Sequence, residues 1–322
     1  MIGKGPEHVG RVEPAAQLET VIQPECYQPN EERSMTKLAI LADIHGVSPA
    51  LDAVIEDMHQ FKVDHVVVAG DLISFGPFSQ QVVERVVENG WSVIRGNNEF
   101  FLVDYRSPRA PSEWDDPIRF SLLPWLSRQL DDHWKHSIAS WPDSLQLRYP
   151  DAPPIRVVHG TPRSPWEALL PTMKDDEISH HLAGVDEGTV IAAHSHLPMD
   201  KNSGKWHLIN PGSVGVPLDG TFSASYVLID GDDRGWKAHF RRVPFDYDPI
   251  YREFERTGFV EECGLIGMLV IEGFKNARPY IGAFLRWRET NCPGAPLELE
   301  LHDAFLKANR WDYLQEAYRI NL

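Results

Sequence analysis

The stretch 38-LAILADIH-45 is an apolar run that ends in two metal-ligand side chains, Asp43 and His45. Four more runs end the same way: 66-VVVAGD-71, 91-WSVIRGNNE-99, 155-IRVVHG-160 and 190-VIAAHSH-196. A short Val- and Ile-rich run bounded by Gly and polar residues reads as a buried strand. In open α/β sheets, ligands bind in the crevice beyond the carboxyl ends of the strands. Five such strands would deliver Asp43, His45, Asp71, Asn97, His159, His194 and His196 to one sheet edge, a metal site assembled from the whole fold.

Outward from these runs, residues 49–61 carry Leu51, Val54, Ile55 and Met58 at helical spacing. Residues 80–89 do the same with Val82, Val83, Val86 and Val87, and Asn89-Gly90 is a stop signal. Residues 38–95 are therefore expected to be a βαβαβ unit with a parallel sheet. The stretch 104–150 breaks the rhythm with Trp114, Trp125, Trp134, Trp141 and several prolines. It reads as a helical insertion, with a helix over 117–130, whose tryptophans pack as core; the alternative is a cap closing over a substrate. From 155 the alternation resumes, with a helix over 175–183. Extended runs at 205–209, 224–229 and 237–243 suggest an antiparallel edge or a second sheet. The unit carrying the ligand residues thus spans 35–245, followed by a helical C-terminal extension, 246–322, without a ligand cluster. Residues 1–34 show scattered Glu, Pro and Gln and no apolar period, so disorder is expected there. They lack the pattern of a secretory signal, and Met35 is a candidate true start.

A formal charge of −16 over 322 residues disfavours stable nucleic-acid binding and acidic membranes. It leaves room for a small phosphorylated substrate, because bound divalent cations reverse the sign locally. No apolar stretch approaches the ~20 residues needed to span a bilayer. Cys26, Cys263 and Cys292 lie far apart and in no ligand-like spacing, which points to a reducing, cytoplasmic setting. The last two are expected to be buried thiols. No anchor residues argue for any particular oligomeric state.

Residues two apart on an extended segment point the same way, so Asp43 and His45 can address one metal together. His194 and His196 can do so if their loop turns suitably. Mixed carboxylate, imidazole and amide ligands suit Mn, with Fe, Zn or Ni as alternatives, better than Ca or Mg. Seven ligand-type residues are too many for one tetrahedral ion and fit two divalent ions. Asp71 could bridge these at roughly the 3.5–4 Å of two-metal hydrolytic sites. A bridging water would then become a hydroxide near neutral pH, with both ions clamping a phosphoryl oxygen during in-line displacement.

In order, Asp43-x-His45, Gly70-Asp71, Gly96-Asn97-x-Glu99, His159-Gly160 and His194-x-His196 resemble the signature of the calcineurin-like metallophosphoesterase family. The resemblance covers about residues 36–245 and includes 159-HGTP-162 and 210-NPGSVG-215. It implies a four-layer αββα sandwich with the metals at the sheet edge. One metal would take Asp43, His45, Asp71 and His196; the other would take Asp71, Asn97, His159 and His194. The chain departs from the family where Gly-Asn-His-Asp/Glu is common and Asn98 stands for the His. In the family that His positions the phosphoryl group and protonates the leaving alkoxide. Asn98 can donate a hydrogen bond but has no titrating proton. A general acid contributes about 10²–10⁴-fold, so esters with poor leaving groups should suffer most. Family branches with another residue here look more like phosphodiesterases than broad monoesterases. His207, or a histidine from 104–150, is a candidate replacement acid. Ala193, where Gly usually precedes His-x-His, should matter little.

Arg95 precedes Gly96-Asn97 as in branches where an arginine holds substrate phosphate, and a guanidinium fork suits that geometry; a simple ion pair is the alternative. Arg163 is a weaker candidate. Glu99 is expected to orient a metal ligand, and Asn210 and Ser213 to fix a tight turn behind the metals. His59, His65, His133, His136, His239 and His302 read as surface or packing residues. His180 and His181 are adjacent on a helix and do not share a face. The expectation is a metal-dependent phosphoesterase acting on a phosphodiester or a nucleotide-derived pyrophosphate, with Asn98 and Arg95 orienting the phosphate. A phosphomonoesterase or protein phosphatase on the same site is the nearest rival. A non-catalytic metal-binding interaction scaffold is another, which retention of every ligand type opposes.

Overall fold

Alternation along the strands sorts the apolar side chains onto two faces, and that sorting builds the layers. The computed structural model describes residues 19–22 and 35–320. Its strands are β1 (Glu19–Ile22), β2 (Thr36–Leu41), β3 (His65–Val68), β4 (Ser92–Val93), β5 (Ser144–Tyr149), β6 (Ala152–Val158), β7 (Thr189–Ala192), β8 (Met199–Ser203), β9 (Trp206–Asn210), β10 (Ser223–Asp232) and β11 (Gly235–Pro244). The helices up to residue 200 are α1 (Ser48–Met58), α2 (Ser79–Glu88), α3 (Asn97–Asp104), α4 (Leu122–Arg128), α5 (Asp132–Ala139) and α6 (Asp175–His181). The C-terminal extension adds α7 (Asp248–Thr257), α8 (Phe259–Asn276), α9 (Tyr280–Asn291) and α10 (Glu300–Lys307).

Two sheets result, in the orders β11-β10-β2-β3-β4 and β1-β5-β6-β7-β9-β8. Leu38 and Ile40 of β2 share one buried core with Leu145, Leu147, Ile155, Val157, Ile191 and Ile209 of the other sheet. The intervening Ala39 and Leu41 face the other way and pack with Leu51 and Val54 of α1 and Val82 and Val86 of α2. Across the sandwich, Val190, Ala192 and Leu208 pack with Ile178 and Leu182 on the α6 side. Helices, sheet, sheet and helix therefore stack as a four-layer αββα sandwich. β2, β3 and β4 are parallel, as the βαβαβ reading requires. β6 and β7 are parallel as well, so both sheets end their ligand-bearing strands at one edge.

The structure differs from expectation in four places. β5 lies inside the stretch read as a helical insertion, and the helical part ends at Ala139. The helix over 117–130 contracts to α4, because Asp116 accepts from the backbone of Ile118 and Arg119 and makes a turn there. The three late extended runs divide between the sheets: β9 runs parallel to β7, while the β10–β11 hairpin joins β2 antiparallel. Of the N-terminal extension, residues 19–22 are an edge strand paired parallel with β5, not disordered chain; the rest lies outside the described residues.

The C-terminal extension is helical and packs onto the insertion. Trp125 of α4 lies 4.6 Å from Phe259 of α8, centroid to centroid, and Ser121 Oγ donates to the Cys263 carbonyl at 2.8 Å. α8 breaks at Gly264, whose φ of +53° only glycine takes readily. Arg278 then ties the end of the chain to the sandwich by donating to the Ile320 carbonyl (2.6 Å) and the Leu218 carbonyl (3.4 Å). Cys263 is buried as expected, whereas Cys292 is only half-buried. Among the described residues no helix is long and apolar enough to cross a membrane.

Candidate metal centre

The chain leaves β2, β3 and β7 through turns that put Asp43, His45, Asp71, His194 and His196 in the left-handed region, at φ between +52° and +62°. Each such non-glycine residue costs about 1–3 kcal/mol and persists only where its surroundings hold it. Here they do: Asp43 N donates to the Gly70 carbonyl (3.1 Å) and His45 N to the Asp71 carbonyl (3.0 Å), locking two neighbouring turns together. Asp43 and His45 thus reach one point through a turn, not through the pleat of an extended strand. The glycines of the Gly-Asp and Gly-Asn pairs are required by this stacking. A Cβ on Gly70 would sit 2.7 Å from both Gly96 N and His159 Nδ1, and one on Gly96 would overlap the Asp71 carboxylate.

Two triads form, Asp43–His45–His196 and Asp71–His159–His194, both buried. In the first, His45 Nε2 lies 3.1 Å from His196 Nε2 and 3.9 Å from Asp43 Oδ1, and His196 Nε2 lies 3.4 Å from Asp43 Oδ1. In the second, His159 Nε2 lies 3.3 Å from Asp71 Oδ2 and 3.0 Å from Asn97 Oδ1. Asp71 Oδ2 is also 3.7 Å from His45 Nε2, so this carboxylate stands between the two groups. All seven expected residues come together at one place.

Backbone carbonyls decide which imidazole nitrogen faces inward. His45, His159 and His196 donate through Nδ1 to the carbonyls of Ile73 (3.2 Å), Ala69 (2.9 Å) and Val216 (2.5 Å), which turns Nε2 of each into the site, as a lone pair in His45 and His196. His194 is reversed: Nε2 donates to the Trp166 carbonyl (3.2 Å), leaving Nδ1 as the inward acceptor. The centre is therefore a convergence of acceptors. Both Asp43 oxygens are buried and accept no hydrogen bond among the described residues. A buried, unpaired carboxylate beside inward lone pairs is the arrangement a cation satisfies, and the mixed nitrogen and oxygen donors fit a pair of divalent transition ions.

Residues 36–234 match the calcineurin-like phosphoesterase superfamily domain. The chain belongs to that superfamily. It is 25% identical over 243 residues to the uncharacterized protein MJ0912 of Methanocaldococcus jannaschii, covering 70% of this chain and 95% of that one. It is 25% identical over 206 residues to phosphodiesterase YfcE of Escherichia coli K12, covering 62% of this chain and 89% of the relative. Among solved structures, the fold resembles a metallophosphoesterase from Sphaerobacter thermophilus (TM-score 0.58, 22% identity, 76% of this chain and 99% of that one). It also resembles protein PH1004 from Pyrococcus horikoshii (TM-score 0.64, 20% identity, 75% and 98%). As a superfamily member, the chain is a phosphoric ester hydrolase, and its two triads form a candidate dinuclear metal site.

Electrostatics separate the ligands of this phosphoesterase centre into two kinds. Burial lowers His45 to about 4 and His194 to about 3, and drives His196 well below its ordinary value, so all three are neutral and ready to coordinate. Burial would lower His159 too, but the Asp71 charge overrules it and raises His159 to about 9. Burial likewise favours a high value for Asp71, yet the neighbouring His159, His45 and His194 imidazoles hold it below the carboxylate range. Burial, helped by the Asp71 charge, pushes Asp43 well above that range, against the opposing pull of His159 and the His194 backbone N–H.

The remaining expected residues divide. Glu99 is buried behind the site: Oε2 accepts from Gly96 N (2.6 Å) and Asp71 N (2.9 Å), and Oε1 from Leu72 N (2.8 Å). Burial and the Asp71 charge raise it to about 7. Asn98 also faces Asp71, donating its backbone N–H to Oδ1 (2.8 Å) and its amide to Oδ2 (2.7 Å). Arg95 turns away. Its Nε and Nη2 bind Asp143 Oδ1 at 2.8 and 2.6 Å, and its guanidinium lies 4.5 Å over the Phe100 ring. This is the ion pair given as the alternative for Arg95, half of it supplied 48 residues later. Arg163 donates to the His180 carbonyl and His207 pairs with Asp200 (2.7 Å), so neither joins the triads. Asn210 and Ser213 do brace the turn: Asn210 Nδ2 donates to the Ala193 carbonyl (2.9 Å) and Ser213 Oγ to the Asp43 carbonyl (2.7 Å). What side-chain motifs could not show are the carbonyls that fix the imidazoles, and Phe75, whose ring stands edge-on 4.9 Å from His45.

Proposed function

We propose that this hydrolase is a dinuclear-metal phosphodiesterase acting on a small phosphodiester or a nucleotide-derived pyrophosphate. The observation that carries this reading is the convergence of buried acceptors around an unpartnered Asp43 in a member of the phosphoesterase superfamily. One ion would be held by Asp43, His45, Asp71 and His196, the other by Asp71, Asn97, His159 and His194. Manganese suits this donor set best. Bound there, two divalent ions supply Lewis acidity toward phosphoryl oxygens and a hydroxide nucleophile near neutral pH. The chain's own part is to hold these donors rigid: the carbonyl contacts fix each imidazole, and Asn98 and Glu99 hold Asp71 between the triads. A diester is favoured over a monoester because the Asn98 amide is committed to Asp71 and brings no proton to a leaving alkoxide. The relative named phosphodiesterase YfcE points the same way. The two described cysteines form no disulfide, in keeping with a cytoplasmic place of action.

The test is hydrolysis of bis-p-nitrophenyl phosphate against p-nitrophenyl phosphate by metal-stripped protein, with and without Mn, beside an Asp71→Asn control. Mn-dependent turnover favouring the diester and lost in the variant is expected. Preference for the monoester would move the assignment to a phosphomonoesterase. Absence of metal binding would sink the dinuclear centre.

A further inference from the structure

Four aromatic rings pack on one another and belong to none of the buried cores: Phe101, Trp114, Phe120 and Trp166. All four are half-buried. Phe101 is 4.7 Å from Trp114 and 4.6 Å from Trp166 between centroids, the latter edge-on at 77°. Phe120 closes the group 6.3 Å from Trp114.

Two independent links fix this cluster against the candidate ligands. The Trp166 carbonyl accepts from His194 Nε2 at 3.2 Å, so the loop that carries the indole also orients a ligand. Phe101 lies on α3 four residues after Asn97, hence on the same helical face and about 6 Å further along the axis. That offset is comparable to the span of a pentose between a phosphate and its base. Three segments far apart in sequence, α3, the short helix at Ser112–Asp115 and the loop after His159, each contribute a ring. A cluster needed only for packing would be continuous with a core; this one packs on itself and stays half-buried. The formal charge of −16 repels long polyanions, leaving small nucleotides as fitting occupants.

We propose that Phe101, Trp114 and Trp166 form a stacking platform for a planar aromatic ring carried beside the reacting phosphorus, a nucleobase in a nucleotide-derived substrate. This rests on the phosphodiesterase reading and adds the substrate class. Stacking on an aromatic side chain contributes about 1–3 kcal/mol per base, roughly fivefold or more in affinity.

The test is calorimetric binding of adenosine 5′-monophosphate and ribose 5-phosphate to Mn-loaded protein, wild type, Trp114→Ala and Trp114→Phe. bis-p-Nitrophenyl phosphate hydrolysis runs alongside. The nucleotide should bind at least about fivefold more tightly than the sugar phosphate. Trp114→Ala should remove most of that advantage without changing ribose 5-phosphate binding, and Trp114→Phe should restore it. For the diester, KM should rise in Trp114→Ala with kcat unchanged. Equal binding of the two ligands, equal weakening of both, or diester turnover with no nucleotide binding would overturn the platform while sparing the phosphodiesterase. Nucleotide-selective binding without any diester turnover would keep the platform and overturn the phosphodiesterase reading instead. Loss of both binding and turnover in the wild type would overturn both.

Discussion

Asp43 and Asp71 leave neighbouring parallel strands through the same kind of left-handed turn, yet the chain treats them oppositely. Asp71 accepts from the backbone and amide of Asn98, stands beside His159, and is held below the carboxylate range. Asp43 is as deeply buried and accepts nothing among the described residues, so burial raises it. One carboxylate is pre-organised by the protein alone; the other is left for the metal. A site built this way is partly formed before loading and is completed by the cation that it selects.

The largest expected effects come from making each aspartate an amide. Asp71→Asn and Asp43→Asn should each lower turnover by at least about 10²–10³-fold, the scale for removing one electrostatic stabiliser of a transition state. Their metal-free proteins should move in opposite directions. Asp43→Asn removes a buried carboxylate without partners, whose desolvation costs about 1–3 kcal/mol, and should raise the melting temperature. Asp71→Asn removes the acceptor of two hydrogen bonds and should lower it. For Asp43 the folded-state pKa lies above the unfolded 3.8, so the folded protein binds the extra proton. Its penalty is absent below about pH 4 and grows as pH rises until the buried carboxyl itself ionises. Calorimetry of the two metal-free proteins should therefore show the stability advantage of Asp43→Asn over the wild type growing as pH rises above about 4, on top of the opposite contribution that the lowered His45, His194 and His196 make to both. Equal shifts in the two variants would erase the distinction.

The pairing of Asp71 with His159 sets the next effect. With His159 raised to about 9, its Nε2 is protonated at neutral pH in the metal-free protein and must lose that proton to coordinate. Mn affinity measured from pH 6 to 8 should rise by about tenfold per unit, one proton released per site. A flat profile would mean that Asp71 does not hold the proton on His159.

How much of this could be read beforehand follows from where each cause lies along the chain. The ligand strands announce themselves because a fully buried strand is locally apolar and its terminal Asp or His follows directly. β5 had the readable alternation Leu145, Leu147 and Tyr149 but stood after a run of tryptophans and prolines that suggested helices. The division of the late strands between two sheets depends on partners over a hundred residues away: β10 joins β2, and no local pattern says so. The inward nitrogen of each histidine was invisible for another reason, being set by the carbonyls of Ile73, Ala69, Trp166 and Val216, and every residue has a carbonyl. Side-chain identity located the centre; backbone geometry decided how it is presented.

Asn98 tests whether pre-organisation of Asp71 matters beyond coordination. Asn98→Ala deletes the amide donor but keeps the backbone one, and loss of such an outer contact lowers activity or metal affinity by about 10–100-fold. Asp43 should not respond, so the metal-binding titration should lose affinity for one ion more than for the other. Equal weakening of both would show that Asp71 bridges so tightly that the triads load as a unit.

On turnover, the smallest effect is expected at Arg95. Its guanidinium is spoken for by Asp143 and by the Phe100 ring, with only 11% and 14% of the two charged side chains exposed. Arg95→Met keeps much of the aliphatic contact with Phe100 and removes the charge, so kcat and KM for bis-p-nitrophenyl phosphate should stay within about twofold, since no contact to substrate is lost. Stability should fall by about 1–3 kcal/mol, because Asp143 is then a half-buried charge without its partner, and Asp143→Asn in the same background should recover part of it. A KM that rises tenfold with stability unchanged would return Arg95 to the phosphate and make Asp143 its resting partner.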